Sequence, residues 1–577
     1  AFPFMPVKFP DGTWGDNYLY PGAEGGSNPV HILTDRKYLL NVQNTLGEAY
    51  IRILLGKGFD IKSQVGVSVV QRQENQYSGR SLHNISMQQN GVASIFNNRE
   101  IYWSSETYLN YNRTFNEDHD VTGLIGLSWQ GTNYVSAGAS AQNFSTDFFQ
   151  WNNLGAGSQQ NPSSSNRSQF AFNSYFGRVN YAYKNKYLVT FTGRVDGSSK
   201  FGDDNKYAFF PSAAVGWIAS EENFLANSNV ISHLKLRASH GLTGNSEVSP
   251  FLSDPSLGAY TAIINNARFS GIGTNRLGNA GLKWEKTAQT DVGLELGLLD
   301  NRINVEFDLY YRKTTDMLLQ APLPRSTGYS SILRNVGSME NKGLEFTINT
   351  VNISTNEFEW RSSFNISMNR NKVLSLATPA PIFSGNPNFL SNTGIIRVGE
   401  PVGSFWGLVR LGVWTEAERD EAAKFASYRG GKPILPGDLK YLDINGDYAI
   451  NDLDRTIIGH ANPDGWGSFV NSFRWKNFDL LLEIAYMYGN DVLNQSKHSG
   501  EDRTGIANSF KSVLDHYQPG KNEGRTMIAA IRDTRAGYVT NVDSWWVEDG
   551  SFIRGKNLLL GYNFPEAVLK RLHVNRL

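Results

Sequence analysis

Tyr175 to Gly202 reads YFGRVNYAYKNKYLVTFTGRVDGSSKFG. Tyr175, Gly177, Val179, Tyr181 and Tyr183 alternate with Phe176, Arg178, Asn180 and Ala182. After the polar break Lys184, Asn185 and Lys186, the period of two resumes. Tyr187, Val189 and Phe191 are set against Thr190, Thr192 and Arg194. Alternation of this length describes strands with two unlike faces, and so short a break makes the pair an antiparallel hairpin. One face is apolar and aromatic, while the other carries Arg178, Asn180, Thr192 and Arg194. Soluble sandwiches and membrane barrels both contain such hairpins, so the choice rests on how the pattern repeats.

Alternation marks fifteen candidate strands: 43–55, 59–71, 103–115, 121–131, 173–183, 187–196, 207–218, 231–241, 284–299, 302–313, 342–353, 357–369, 466–475, 478–488 and 551–562. Connections are short at 56–58, 116–120, 184–186, 300–301, 354–356 and 476–477. They are long at 72–102, 132–172, 242–283, 314–341, 370–465 and 489–550, with 197–206 and 219–230 intermediate. Short and long therefore alternate, as in an up-and-down membrane barrel with tight turns on one rim and large loops on the other. A sandwich built on Greek-key crossovers has no reason to keep that rule.

Lipid makes the same choice. Backbone N–H and C=O groups must all pair inside hydrocarbon, so only helices and closed sheets cross it. No apolar run approaches the ~18 residues of a membrane helix, whereas barrel strands need only ~9–11 residues and alternate apolar with polar. A mean hydropathy of −0.38 is accordingly neutral. The expected fold is all-β: a large antiparallel transmembrane β-barrel with about fifteen strands in this chain and long extracellular loops. Residues 1–577 then form one barrel domain with a loop insertion at 370–465. Arg178, Arg194, Glu306 and Glu483 would line a wet or plugged lumen. Tyr183, Tyr187, Tyr311, Trp475 and Tyr486 would either form interfacial girdles or pack across strands.

Composition excludes other classes. Lys plus Arg and Asp plus Glu are both 54, so no bulk charge calls for nucleic acid or an anionic surface. Cysteine is absent, which removes disulfides, thiolate metal sites and cysteine nucleophiles. The opening AFPFMPVKFPDGTWG lacks a signal peptide, so an export signal would lie outside this stretch. No HExxH or Gly-x-Ser-x-Gly pattern occurs, and no enzymatic activity is expected.

Helical signals are few. Thr415 with Glu418 forms a capping box ahead of a helix near 415–428. Ser220 opens a turn in the 219–230 connection, and Pro565 starts a helix near the end of the chain.

The opening hairpin, followed by Phe209-Phe-Pro-Ser-Ala-Ala-Val-Gly-Trp217, closely resembles SusC/RagA-type TonB-dependent outer-membrane transporters. So do Leu234-Lys-Leu-Arg-Ala-Ser-His-Gly-Leu-Thr-Gly244, Leu282-Lys-Trp-Glu-Lys286, Asn341-Lys-Gly-Leu-Glu345 and Gly437-Asp-Leu-Lys-Tyr441. The resemblance implies a plugged barrel of about 22 strands in the outer membrane, with a SusD-like lipoprotein lid. It also implies import of glycan fragments or peptides driven by TonB, and a dimer of SusCD-type pairs. The plug, the TonB-binding segment and the last strands are expected outside this stretch. A passive porin and, further off, a soluble carbohydrate-binding β-sandwich are the alternative readings.

One loop carries a metal-binding pattern. Asp443, Asn445, Asp447, Ala449, Asn451 and Asp454 occupy positions 1, 3, 5, 7, 9 and 12 of an EF-hand-type calcium loop. Tyr448 replaces the glycine at position 6 and Asp454 the bidentate glutamate. An Asx-rich turn satisfied by its own backbone is the other reading. Loop aromatics such as Trp151, Phe405, Trp406, Trp545 and Trp546 could stack on sugars or simply pack.

Overall fold

The computed structural model describes residues 6–16, 27–84, 87–88, 90–385, 390, 392–425, 433–501, 509–530, 542–565 and 569. Fifteen antiparallel strands follow one another in chain order through a single sheet. They are β1 Arg36–Gly56, β2 Phe59–Ser78, β3 Val92–Phe115, β4 His119–Phe144 and β5 Ser164–Tyr183. Next come β6 Tyr187–Ser198, β7 Tyr207–Ile218, β8 Ile231–Asn245, β9 Glu285–Leu298 and β10 Ile303–Thr315. The last are β11 Ser338–Ser354, β12 Phe358–Ser375, β13 Gly465–Trp475, β14 Phe478–Tyr488 and β15 Phe552–Tyr562. A short extra strand, Gly157–Gln160, pairs along β4. Among the described residues, the outer edges of β1 and β15 have no partner.

Each expected strand is present, but β1 to β5 run well past their expected outer ends. The outer part of β2, Gln71-Arg-Gln-Glu-Asn-Gln76, is polar at every position and carries no period of two. It still pairs with Arg99 through Ser94 of β3 and with β1. Alternation reports a boundary between oil and water, and it stops where both faces of a strand are wet.

The tight turns take left-handed backbone, as two-residue hairpin turns require. Lys184 and Asn185 have φ of +53° and +54°, and Lys57 and Gly58 close β1 onto β2 at +51° and +88°. Capping geometry at Thr415 and Glu418 is present, but it opens only the turns Glu416–Glu418 and Arg419–Ala422. The turn at Ser220 is a short helix, Ala219–Glu221. The helix expected after Pro565 and the end of the 415–428 segment lie outside the described residues.

The two sheet faces differ as the period of two demands. Ile125, Phe191, Val215 and Val292 on one face are 71%, 61%, 55% and 53% exposed. Among the described residues no second sheet covers them, against the sandwich reading. The opposite face carries Arg178, Arg194, Glu306 and Glu483 as expected. There Arg194 bonds Asp196 and Ser174, and Lys556 reaches Glu483 at 2.8 Å. Of the girdle candidates, Tyr183 stacks on Tyr187 at the short-turn rim (6.4 Å between centroids). Trp475 stands exposed beside Phe478 on the same rim. Tyr486 behaves differently, stacking on Phe364 and donating its hydroxyl to the Asn365 carbonyl (2.8 Å).

Charge should be tolerated on one face only. In full-length protein unfolded from lipid vesicles, Phe191→Arg should cost about 2–4 kcal/mol. Ala182→Arg on the polar face should stay within about 0.5 kcal/mol.

Candidate functional site: the lumenal wall and its outer loops

On the polar face, β8 to β12 build a recess of about 430 Å³ lined by Arg237, Asp291, Asp308, Tyr310, Arg312 and Glu345, among others. Its centre is a pair spanning three strands. Arg237 of β8, Gly293 of β9 and Asp308 of β10 lie on one register line. A Cβ at Gly293 would stand 2.4 Å from Asp308 Oδ1 and 2.8 Å from the Arg237 guanidinium. Glycine there lets Arg237 cross β9 and donate to Asp308 Oδ2 at 2.7 Å. Glu295 joins from β9, 3.3 Å from Arg237 and 2.9 Å from Lys235.

Neighbouring groups fix one another around this pair. Gln289 donates to Asp291 (2.8 Å) and accepts from Arg312 (3.0 Å). Tyr310 donates to Asn369 (3.1 Å). Asp308 Oδ1 stays buried without a hydrogen bond. The wall can hold a polar molecule through many fixed donors and acceptors. Sequence reasoning did not single out this recess, although the alternation of β8 to β12 puts every one of these side chains on the polar face.

Beyond the long-loop rim, the described parts of the connections 376–464 and 489–551 pack together. Leu408, Val413, Leu439, Tyr441, Tyr517 and Ala529 form their shared core. The Arg410 guanidinium, 3% exposed, donates to Asp543, which is fully buried (3.0 Å), and to the Met527 carbonyl (2.9 Å). Tyr441 donates to the same carboxylate at 3.2 Å. At Glu418 burial opposes the charge, but Lys440 at 2.6 Å and the Thr415 groups outweigh it. Its carboxyl is held below the ordinary range. A different long loop, 246–284, projects the hairpin of Ser256–Ile264 and Ala267–Arg276. Leu257, Ile263 and Ile272 crowd one side of that hairpin and Tyr260 and Phe269 the other, all at least half exposed.

The calcium-type loop sits within the folded 376–464 connection. Asp443 accepts the backbone N–H of Gly446 (2.8 Å) and of Tyr448 (2.9 Å). Asp454 is fully buried and accepts from Ile444 (3.0 Å) and Asn451 (2.8 Å), tying the two ends of the loop together. Tyr448 adopts φ +58°, the left-handed geometry that glycine supplies at that position in an EF-hand. Asn445 accepts from the Asp447 N–H, and Asn451 donates to the Ala449 carbonyl. Among the described residues, no three His, Cys, Asp or Glu side chains converge as a metal site. A cation here would therefore need the Asn and carbonyl oxygens as well.

The loop aromatics are engaged in packing. Trp151 lies against the Tyr77 and Phe144 cluster. Phe405 and Trp406 belong to a small loop sheet, with Trp406 tilted on Phe383. Trp545 donates to Glu501 (2.8 Å), and the buried Trp546 receives Arg410 on its ring face.

The family described as "TonB dependent receptor-like, beta-barrel" matches residues 8–393. TonB-dependent receptor P3 of Formosa agariphila is 39% identical over 468 residues, 81% of this chain and 46% of that protein. TonB-dependent receptor P26 of the same organism is 34% identical, over 98% of this chain and 56% of its own length. TonB-dependent receptor SusC of Bacteroides thetaiotaomicron is 31% identical over 68% of this chain and 38% of its own. This chain thus spans about half the length of the curated relatives it matches. The solved RagAB peptide transporter superposes with a TM-score of 0.80 over 97% of this chain and 60% of its own, at 24% identity, a likeness of fold. A continuous antiparallel wall, oily outside and polar inside, agrees with those relatives: the chain belongs to the TonB-dependent receptor-like β-barrel family of the bacterial outer membrane and is of the SusC/RagA type.

Proposed function

We propose that this chain is the barrel wall of an active importer. It would carry oligosaccharides or peptides across the outer membrane as the SusC-like member of a SusCD-type complex, energised by TonB. The observation that carries the reading is an apolar outer face backed by a polar, internally bonded inner wall. Fixed polar groups suit a hydrated cargo that must be held and then released. The names of the relatives support coupling to TonB, and the peptide transport named for the RagAB structure keeps peptides among the proposed cargoes. TonB would act through the N-terminal part of the transporter.

The exposed hairpin at 256–276 supports a lid. A two-stranded hairpin is marginal alone in water, and apolar residues on both sides of it mark a surface that a partner covers. The SusD-like lipoprotein is the partner this reading assigns, with two such pairs forming a dimer.

The 443–454 loop is proposed to take calcium through Asp443, Asn445, Asp447, Asn451, Asp454 and the Ala449 carbonyl. Its ends are already tied by Asp454, so the oxygens need little further ordering.

Uptake of a labelled oligosaccharide or peptide pool by cells carrying the full transporter should vanish when TonB is deleted. Uptake that persists, with steady ion conductance in planar bilayers, would identify a passive porin. Leu257→Ser with Ile263→Ser and Ile272→Ser should release the lipoprotein during purification while leaving the folded barrel intact. At 1 mM calcium, a loop with Kd near 10⁻⁴–10⁻³ M should add about 0.4–1.4 kcal/mol of stability. Chelator or Asp443→Ala should remove that increment in a melting experiment.

A further inference from the structure

The apolar outer face has a recess in it. Across β3 to β7, Tyr111, Gly123, Val179, Phe191 and Ala213 fall on one register line. Leu109, Ile125, Gly177, Gly193 and Pro211 fall on the next. They enclose a groove of about 690 Å³. Ile125, Val179 and Phe191 wall it, and bare backbone at Gly123, Gly177 and Gly193 forms the floor.

Glycine inside a strand costs about 0.5–1 kcal/mol relative to alanine, so three together ask for a reason. A bulge, a left-handed backbone or a neighbour too close for a side chain is the usual one. The register of β4, β5 and β6 runs through these positions unbroken, and none of the three has positive φ. A Cβ at Gly123 would meet nothing nearer than Tyr111 at 3.8 Å, and one at Gly177 nothing nearer than the Leu124 carbonyl at 3.6 Å. Only at Gly193 would a neighbour, the Phe209 ring at 3.3 Å, have to give way slightly. Besides a tight bend of the wall, glycine in a strand serves the close approach of a ligand, and the open space over Gly123 and Gly177 favours the ligand.

Position and chemistry name the ligand. The groove opens on the lipid-facing surface, and its lining is almost wholly apolar, which excludes a sugar or peptide. Toward the short-turn rim the same face carries Arg113, level with Val121 and over the Phe115 ring at 4.9 Å, and one step further His119, 2.8 Å from the Tyr181 hydroxyl. Lys184 stands in the adjoining turn, 3.7 Å from Asp118. His119 lies about 13 Å along the strand from Gly123. That spacing puts cationic and hydrogen-bonding groups at the membrane surface and the groove in its hydrocarbon. We propose that the groove is a phospholipid site: one acyl chain lies on the three glycines, and the phosphate rests at the Arg113 and His119 rim. A lipid so seated belongs to the periplasmic leaflet, because the tight turns form the rim opposite the long outer loops.

The test is native mass spectrometry of the full-length transporter released in mild detergent, comparing wild type with Gly123→Val/Gly177→Val. Wild type should retain phospholipid and the double variant should lose it, with the folded barrel's heat-dependent gel mobility unchanged. Equal retention in both proteins overturns the proposal, as does a groove-dependent dimer of the chain that carries no lipid. If the double variant does not fold, wild-type protein reconstituted with a phospholipid bearing a photoreactive acyl chain decides. Adducts concentrated on Leu109, Ile125 or Phe191 support the site, whereas adducts spread evenly over the outer face overturn it.

Discussion

Hydrocarbon offers no hydrogen bonds, and that single fact organises this chain. Each backbone N–H and C=O that enters lipid must find its partner in a neighbouring strand, so the strands pair antiparallel, each with the next, from β1 to β15. The same constraint leaves side chains only two environments, reached alternately every residue. One face can be as oily as Ile125, Phe191 and Val215, because it never meets water. The other can carry Arg237, Asp308 and Glu295 close together, because its charges pair across strands and face a lumen. Averaging the two faces gives a chain whose mean hydropathy, −0.38, resembles that of a soluble protein.

Specific chemistry enters where the sheet departs from uniformity, and glycine marks both departures. Gly293 on the inner face clears a path for Arg237 to reach Asp308, and no larger residue fits. Gly123 and Gly177 on the outer face clear space that larger residues would fit. The first kind of glycine serves the wall's own bonding; the second leaves room for something the chain does not supply. Beyond the rim, stability comes from ordinary folding. Loops held by the buried Arg410–Asp543 pair, worth about 3–5 kcal/mol against loss of one partner, form a packed body rather than loose strings.

Much of this was legible in the sequence, for physical reasons. The hairpin from Tyr175 to Phe191 alternates because oil and water lie on its two sides, so strand, face and turn could all be read. Arg178, Arg194, Glu306 and Glu483 fell on the polar face for the same reason. The outer halves of β2 to β5 could not be read, since Arg72, Gln73 and Glu74 meet water on both faces and carry no period. The inner recess was hidden differently: parity places Arg237 and Asp308 on one face, but only the pairing register sets them on one line with Gly293 between. At the 443–454 loop the EF-hand-type spacing was visible, yet the clasp of Asp454 on Ile444 and Asn451 required coordinates. Composition left the loop aromatics open between sugar stacking and packing, and Trp546 packs its ring face against Arg410.

The wall turns two faces to two solvents, and the absence of cysteine from the chain makes that directly measurable. Single cysteines placed in turn at residues 175 to 183, spin-labelled in lipid vesicles, report collision with oxygen in hydrocarbon or with a water-soluble nickel complex. Oxygen access should peak at 175, 177, 179, 181 and 183 and nickel access at 176, 178, 180 and 182. The same accessibility at both sets, or immobile labels shielded from both probes at the odd positions, would contradict it.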